Sequence, residues 1–330
     1  MLHALCPICK SKLEKIYPAN RGVCGDPINY RAVCENGHSF DFAKEGYLNL
    51  LTPTKKHSQN PGDNKDMVLA RKRFMDGGYY APLAECIADI ICTKQKTSPL
   101  TLIDAGVGTG FYLNKIIDAR ERYFISPGMD PYPPSTPSEQ ALYEFSRACA
   151  RAYGRTYNNI KSPISLYDTY LGVDISKTAV RYAAKLNPAA ECCVASVYDL
   201  PCDSHIADVV TCIFSPYAFE EYKRVLKPDG WLIIASPCEN HLIELRRALY
   251  DDVREVEAPI KADGFDTVSS RELTYEFTLS GSEDIAALLM MTPYAYRAPI
   301  SRKASLLEMQ SLSLTADFKI TVLKPIFHEC

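Results

Sequence analysis

The sequence predicts an α/β fold, a doubly wound parallel sheet with a small metal-stapled ribbon ahead of it. Three observations predict it. Apolar runs rich in β-branched residues alternate with segments of helical spacing from residue 84 to residue 235, the alternation that builds a parallel sheet covered by helices. The first such run, Pro99-Leu100-Thr101-Leu102-Ile103-Asp104, leads straight into the glycine-rich turn Ala105-Gly106-Val107-Gly108-Thr109-Gly110. Four of the thirteen cysteines fall within the first 34 residues, a clustering that core packing does not call for.

Composition narrows the class. A chain of 330 residues corresponds to roughly two domains at about 150 residues each. Its 47% hydrophobic and 23% charged residues suit a packed globular protein. The net charge of −3 excludes a globally basic nucleic-acid coat but leaves room for a local basic patch. No apolar run reaches the length of about 18 residues that a membrane helix needs. The start, Met1-Leu-His-Ala-Leu-Cys6, lacks the basic-then-apolar pattern of a signal peptide. A cytoplasmic protein with reduced thiols is therefore expected.

The ribbon comes first. Cys6-Pro7-Ile8-Cys9 and Cys34-Glu35-Asn36-Gly37-His38 each place two donors close enough for one tight turn to aim both at a single ion. Zinc takes four such sulfur and nitrogen donors in a tetrahedron. So short a segment has too little core to fold unaided, so a metal staple supplies the missing stability. Cys24 can replace Cys34 or His38 in the set; it lacks a close partner, which favours Cys6, Cys9, Cys34 and His38.

The core follows. Ala84, Ile87, Ala88 and Ile91 have helical spacing, and so do Leu113, Ile116 and Ile117 after the glycine turn. The turn thus joins a strand to a helix, with glycines that permit positive φ and close approach to a ligand. Its spacing is G-x-G-x-G after a strand-end acid, not the G-x-G-x-x-G of dinucleotide folds. Tyr170–Asp174 is a second strand ending in an acid; Ser176 is a candidate N-cap for the helix carrying Ala179, Tyr182, Ala183 and Leu186. Cys192–Pro201 holds a third strand and its loop. Ala207–Phe214 is a fourth strand, ending at Ser215-Pro216-Tyr217. A helix is expected over Phe219–Leu226, closed by Lys227-Pro228-Asp229-Gly230, and a fifth strand over Trp231–Ala235. Together these markers resemble the class I S-adenosylmethionine (SAM) methyltransferases, a Rossmann-like fold. That resemblance implies SAM contacts from Asp104, Ala105, Gly106, Gly108, Gly110, Asp174, Ile175, Ser196 and Val197. Asp174 would hold the ribose, and the loop after the third strand would meet the adenine.

The join between ribbon and core carries Phe40–Leu51, Pro61–Met67, Ala70–Phe74 and Gly78-Tyr79-Tyr80, and the C-terminal part carries Met291-Thr292-Pro293-Tyr294-Ala295-Tyr296-Arg297. With the ribbon before and the SAM motifs after, residues 1–124 and 170–330 resemble the RlmA family of 23S ribosomal RNA (guanine-N1)-methyltransferases. The resemblance implies a zinc set of Cys6, Cys9, Cys34 and His38, an RNA hairpin gripped between ribbon and core, and a homodimer. It organises the chain as a zinc ribbon at 1–40, a connecting helical region touching RNA at 41–98, and a methyltransferase domain at 99–330. Two features depart from the family: the extra Cys24, and an insertion at 125–169 rich in proline and tyrosine.

RNA binding needs cations and stacking surfaces. Residues 54–73 carry Lys55, Lys56, Lys65, Arg71, Lys72 and Arg73 against Asp63 and Asp66; Arg297, Arg302 and Lys303 add a second basic stretch. Tyr79, Tyr80, Tyr217, Tyr294 and Tyr296 are candidates to stack on an extruded base. Guanine N1 carries a proton at neutral pH, so a group in hydrogen-bond reach must assist its loss. The sequence offers Asp104, Asp199, Glu220 and Tyr217 without choosing among them, and Cys212 and Cys238 read as core residues. Two other readings share the motifs: a methyltransferase acting on a small molecule, and a SAM-binding ribosome-assembly module without turnover.

Overall fold

The computed structural model describes residues 4–16, 30–52, 62–96, 99–125, 168–251 and 261–327. Cys24, Lys55, Lys56 and most of the 125–169 insertion lie outside them. The ribbon is a three-stranded antiparallel sheet of β1 (Leu13–Ile16), β2 (Arg31–Cys34) and β3 (Ser39–Asp41), in the order β1-β2-β3. Only a few of its apolar side chains are buried, Ala4, Leu5, Leu13 and Ala32 among them. That small a core suits a fold stapled by metal.

The region expected to be a helical connector does more than connect. Its first element, β4 (Leu48–Asn49), is a strand that joins the edge of the large sheet. Then come α1 (Lys65–Asp76) and α2 (Ala81–Lys94). Asn64 caps α1 by accepting from the Met67 N–H at 2.9 Å. Pro82 sits in the first turn of α2, where its missing N–H costs nothing. The apolar stripe of α2, Leu83, Ala84, Ile87, Ala88 and Ile91, is buried in the main core, as the spacing predicts.

The core alternates as expected: β5 (Thr101–Ala105), α3 (Phe111–Ile125), β6 (Thr169–Asp174), α4 (Lys177–Leu186), β7 (Glu191–Val194), β8 (Ala207–Ile213), α5 (Phe219–Val225) and β9 (Leu226–Pro237). Ser176 accepts from the Ala179 N–H and caps α4. Every residue of β8 is buried, which explains its unbroken apolar run. Lys227-Pro228-Asp229-Gly230 is not a closing turn: it lies within β9, beside a register irregularity opposite Ala207–Val209.

After α6 (Ile243–Leu249) the chain forms a long hairpin that the sequence reading did not anticipate. It consists of β10 (Phe265–Ser280) and β11 (Ser311–Pro325), with α7 (Ser282–Met290), α8 (Tyr294–Arg297) and α9 (Ile300–Leu307) between them. The large sheet has the order β10-β11-β9-β8-β5-β6-β7-β4. Its strands are parallel from β9 to β4, while β11 and β10 are antiparallel to their neighbours. The strand order reverses between β5 and β8, so a ligand crevice opens at the C-terminal ends of those strands. Among the described residues no helix is long and apolar enough to cross a membrane.

One buried ion pair closes the mouth of the insertion. Arg120 on α3 donates through Nε to Asp168 Oδ2 at 3.0 Å, and both side chains are 1% exposed. Asp168 also accepts from the Leu100 N–H at 2.8 Å and from the Tyr170 hydroxyl at 3.2 Å. Arg120 further donates to the Gln95 carbonyl. The cluster thus ties α2, β5, α3 and β6 together where the chain leaves for residue 126 and returns at 168. Asp168→Ala strands a buried guanidinium, and a loss of about 3–5 kcal/mol in unfolding free energy is expected in a denaturant titration. A loss below about 1 kcal/mol would contradict the assigned burial.

Candidate active site and metal centre

The four ribbon donors converge. One ligand atom from each of Cys6, Cys9, Cys34 and His38 lies within 4.8 Å of all the others. Cys6 Sγ is 3.6 Å and Cys34 Sγ 3.4 Å from His38 Nδ1, and the Cys9 and Cys34 sulfurs are 3.7 Å apart. Ligands about 2.0–2.3 Å from a tetrahedral ion are separated by roughly 3.3–3.8 Å. Three thiols and an imidazole at these distances fit zinc, and four protein ligands leave no open position, which marks a structural site. Local turns aim the donors. The Lys10 N–H closes the first knuckle onto the Cys6 carbonyl at 2.9 Å, and Gly37 closes the second onto Cys34 with φ +79°. Hydrogen bonds from Ser11 and Asn36 hold the Cys9 thiol down at about 5, ready to ligate as thiolate.

The ribbon is docked on the core. The Leu5 N–H donates to the Pro201 carbonyl at 2.8 Å, and the Leu50 N–H to Val194 at 3.0 Å. Cys6, Leu13 and Cys34 share one apolar cluster with Val197, Leu200 and Cys202. Lys10 pairs with Asp199 at 2.6 Å. That contact answers one catalytic expectation: Asp199 faces the ribbon joint, not the crevice. Glu220 is exposed on the first turn of α5. Of the candidate proton handlers named from sequence, Tyr217 alone lines the large cleft.

The glycine turn shows why its residues are what they are. Gly106 has φ +96°, and a Cβ there would sit 2.2 Å from Ser215 Oγ; Gly110 has φ +86°, and a Cβ would meet Asn187 Nδ2 at 2.4 Å. Gly108 has φ +53° and faces open space. Asp174 spans the turn and the next loop: Oδ2 accepts from the Gly108 N–H at 3.0 Å, and Oδ1 from Ser176 at 2.8 Å. Asp104 accepts from Thr211 Oγ1 at 2.8 Å, and burial pushes its carboxyl up to about 7. Ala105 is buried behind it at the end of β5. Ser196 and Val197 follow β7, with Ser196 Oγ accepting from the Tyr198 N–H at 3.2 Å. Ile175 packs against Gly62, and Ser176 donates to the Asp63 carbonyl at 3.0 Å.

Several participants were missed from sequence. Ser215 Oγ and Tyr112 Oη are buried and have no hydrogen-bond partner among the described residues. Both border the glycine turn, so a polar ligand there would satisfy them. Arg71 donates through Nε and Nη2 to Asp63, at 3.0 and 2.8 Å, beside the Asp174 loop. Orphaned hydroxyls, two strand-end acids and a floor open at Gly108 together fit SAM. A cleft of about 2030 Å³ adjoins this floor, lined by Arg71, Tyr80, Phe214, Tyr217, His241 and Tyr294 among others. Phe214 adopts φ +52° at the end of β8, a strained conformation for a side chain of its size.

Most of the expected RNA-binding cations among the described residues make ion pairs within the fold. Arg71 is engaged by Asp63, Lys72 by Asp76, and Arg73 by Asp284 and Glu283. Arg302 pairs with Asp251. Lys65 at the start of α1 is exposed, and Arg297 lines the cleft without an ion pair among the described residues. Tyr79 donates to Asp284 at 2.8 Å, and the Tyr80 ring is buried among Phe74, Phe277 and Phe318. Neither offers a stacking face. Tyr217 and Tyr294 line the cleft, and Tyr296 is exposed.

Two outcomes are expected. Gly106→Ala forces a methyl group into Ser215 and strains the turn, so SAM affinity falls at least about tenfold by calorimetry while circular dichroism stays native; wild-type affinity would contradict the close approach. Asp104 titrates near pH 7 when folded but near pH 4 when unfolded. Between those values the unfolded chain has lost a proton that the folded chain keeps, so this group makes stability fall as pH rises through that window. Asp104→Asn removes that slope, which melting of the ligand-free protein from about pH 5 to 8 would reveal.

Comparison with known proteins places these features in a family. The profile described as "RlmA, N-terminal", a zinc ribbon, matches residues 4–59, and a methyltransferase domain profile matches residues 151–234. The chain is 30% identical over 326 residues to YxjB of Bacillus subtilis (strain 168), provisionally named a 23S rRNA (guanine-N(1)-)-methyltransferase; the match spans 96% of this chain and 95% of that protein. It is 33% identical over 222 residues to the 23S rRNA (guanine(748)-N(1))-methyltransferase of Streptomyces fradiae, covering 66% of this chain and 61% of that one. On a likeness that runs nearly end to end and takes in both the ribbon and the methyltransferase core, this chain belongs to the RlmA family of 23S rRNA (guanine-N1)-methyltransferases.

Proposed function

We propose that this protein transfers the methyl group of SAM to N1 of a guanine in a hairpin of 23S ribosomal RNA, in the cytoplasm. The observation that carries the reading is a closed Cys3His ribbon seated beside the Ser196–Pro201 loop, on the same chain as a wide cleft adjoining the glycine turn. The relatives' names support the substrate, and the family resemblance adds the hairpin and a homodimer.

In this reading Asp174 and Ile175 receive the ribose, and Ser196 and Val197 border the adenine. Gly106, Gly108 and Gly110 pass beneath the methionine part, flanked by Asp104 and Ala105. Bound SAM supplies a methyl carbon made electrophilic by its sulfonium. The protein's own work is to hold the acceptor nitrogen in line with that carbon at near contact, the source of most of the acceleration in such displacements. Ser215 and Tyr112, whose hydroxyls are buried without a partner among the described residues, would offer them to the bound SAM. Cys6, Cys9, Cys34 and His38 would hold zinc as a structural staple of the ribbon, their four donors filling its coordination. Residues 1–40 then serve as the RNA-facing ribbon, 41–98 as the joint, and 99–330 as the methyltransferase domain with its insertion at 125–169.

The test is methyl transfer from labelled SAM to large-subunit ribosomal RNA from a strain lacking this gene. N1-methylguanine at one hairpin, identified by mass spectrometry, is the expected product. SAM binding without label on RNA or subunits would sink the reading.

A further inference from the structure

The cleft wall contains a hydroxyl whose proton has nowhere to go. Tyr80 Oη lies 3.1 Å from His241 Nε2, and the Asp317 N–H donates to His241 Nδ1 at 3.3 Å. A nitrogen that accepts from a backbone N–H carries no proton, so in the neutral ring the proton is on Nε2. Burial, which pulls His241 down to about 4, keeps it neutral. Nε2–H therefore donates to Tyr80, and the hydroxyl's own proton has no acceptor among the described residues. Asp317 is itself fixed, accepting from Thr274 Oγ1 at 2.9 Å and the Asn240 N–H at 3.2 Å. The Tyr80 ring is clamped edge-on by Phe74 and Phe318, at 4.8 and 5.0 Å between centroids, so the hydroxyl's position is set by packing.

The position is telling. Tyr80 and His241 line the same cleft as Phe214 and Tyr217, which flank the Ser215-Pro216 pair that carries the orphaned hydroxyl. The Phe214 ring lies between those of Tyr80 and Tyr112, at 6.2 and 6.3 Å. A rigid donor with a free proton, next to the floor where the methyl donor fits, is placed to meet an acceptor atom on the molecule to be methylated.

We propose that Tyr80, its hydroxyl oriented by His241, donates a hydrogen bond to the 6-oxo oxygen of the target guanine. The inference rests on the guanine-N1 reading above and deepens it. When N1 gives up its proton to water in the cleft, the electron pair left behind spreads onto O6. N1 then bonds to the methyl carbon as the carbon–sulfur bond breaks, its pair remaining on sulfur, and the product base is neutral. A fixed donor at O6 is worth most while that oxygen carries charge. Tyr80 keeps its proton throughout. The same donor selects the base: guanine presents an acceptor at position 6, whereas adenine presents an amino donor, which would face the hydroxyl proton to proton. Tyr80 is thus a catalytic and specificity residue, and His241 a positioning residue. The other ionisable groups around the pair are Arg71 on α1, Tyr275 on β10, Tyr294 on α8, Arg246 on α6 and Asp317 on β11.

Single-turnover methylation of the ribosomal RNA hairpin across pH decides it. Tyr80→Phe keeps the ring in its aromatic cage, so SAM affinity and RNA affinity should stay near wild type, while the unpartnered His241 Nε2–H lowers the melting temperature modestly. The methylation rate at neutral pH should fall about 10²-fold, the loss typical of removing one donor to a developing oxyanion. The deficit should narrow at alkaline pH, where guanine N1 ionises unaided. His241→Leu should reproduce the loss, and His241→Gln, whose amide can still donate to Tyr80, should recover part of it. An unchanged rate in Tyr80→Phe, or a deficit equal at every pH, would overturn the assignment. Failure of the wild-type protein to make N1-methylguanine would remove the reading beneath it, an outcome told apart because it requires no variant.

Discussion

The Gly106–Gly110 turn is squeezed on both sides, and the rest of the molecule is arranged around that squeeze. Ser215 presses on it from the end of β8, and Asn187 presses from the end of α4, donating to the Gly110 carbonyl at 3.0 Å. Asp174 accepts from its middle. Only a backbone without Cβ atoms passes through that gap with positive φ at three positions. The passage brings the ends of β5, β6 and β8 into one floor, and it leaves Gly108 open above. Residues as distant in sequence as Asp63, Asp174 and Ser215 meet there because the strand order reverses between β5 and β8.

The second organising contact is between ribbon and core. Zinc-ribbon ligands Cys6 and Cys34 pack into the same apolar cluster as Val197 and Leu200. The Leu5 and Leu50 amides complete backbone hydrogen bonds on either side of Ser196. The ribbon is therefore part of the wall behind the β7 loop and not an appendage on a tether. A metal held by Cys6, Cys9, Cys34 and His38 would bear on the site through this packing.

What could be read from the sequence follows a physical rule. Metal ligands announce themselves because donor type and short spacing are both obligatory, and Cys6, Cys9, Cys34 and His38 do converge. The glycine turn, Asp174 and the Ser176 cap were legible for the same reason: each requires one residue type at one place. The β10–β11 hairpin was so only in part. The first half of β10, Asp266–Glu272, is exposed throughout and gives no signal, but Leu273, Tyr275, Phe277 and Leu279 alternate with exposed polar residues, a half-buried strand pattern that was legible and passed over. Lys227–Gly230 looked like a turn by composition but is drawn into β9 by pairing beside β8. The basic stretch read as a phosphate-binding surface because sequence does not reveal Asp284 or Glu283 across the fold from Arg73. Tyr112 and His241 were not singled out from the sequence, and Tyr80 was read as a stacking surface, whereas its ring is buried and only its hydroxyl has an unsatisfied proton. Their chemical meaning lies in which polar atoms remain unpaired, and that emerges only when residues 80, 241 and 317 are brought together.

The Arg120–Asp168 clasp has a consequence for how this gene can change. The buried Arg120–Asp168 pair, with Leu100, holds α3 and β6 in register on either side of the 125–169 stretch. The entropic cost of closing a flexible loop grows only logarithmically, by about 0.6 kcal/mol for each doubling of length. The clasp gives this junction a fixed pair of anchor points on the core, so a change of chain length between them costs the core no realignment of α3 against β6. It is also where a tag, a sensor domain or a foreign RNA-binding module could be spliced in at the least cost to folding.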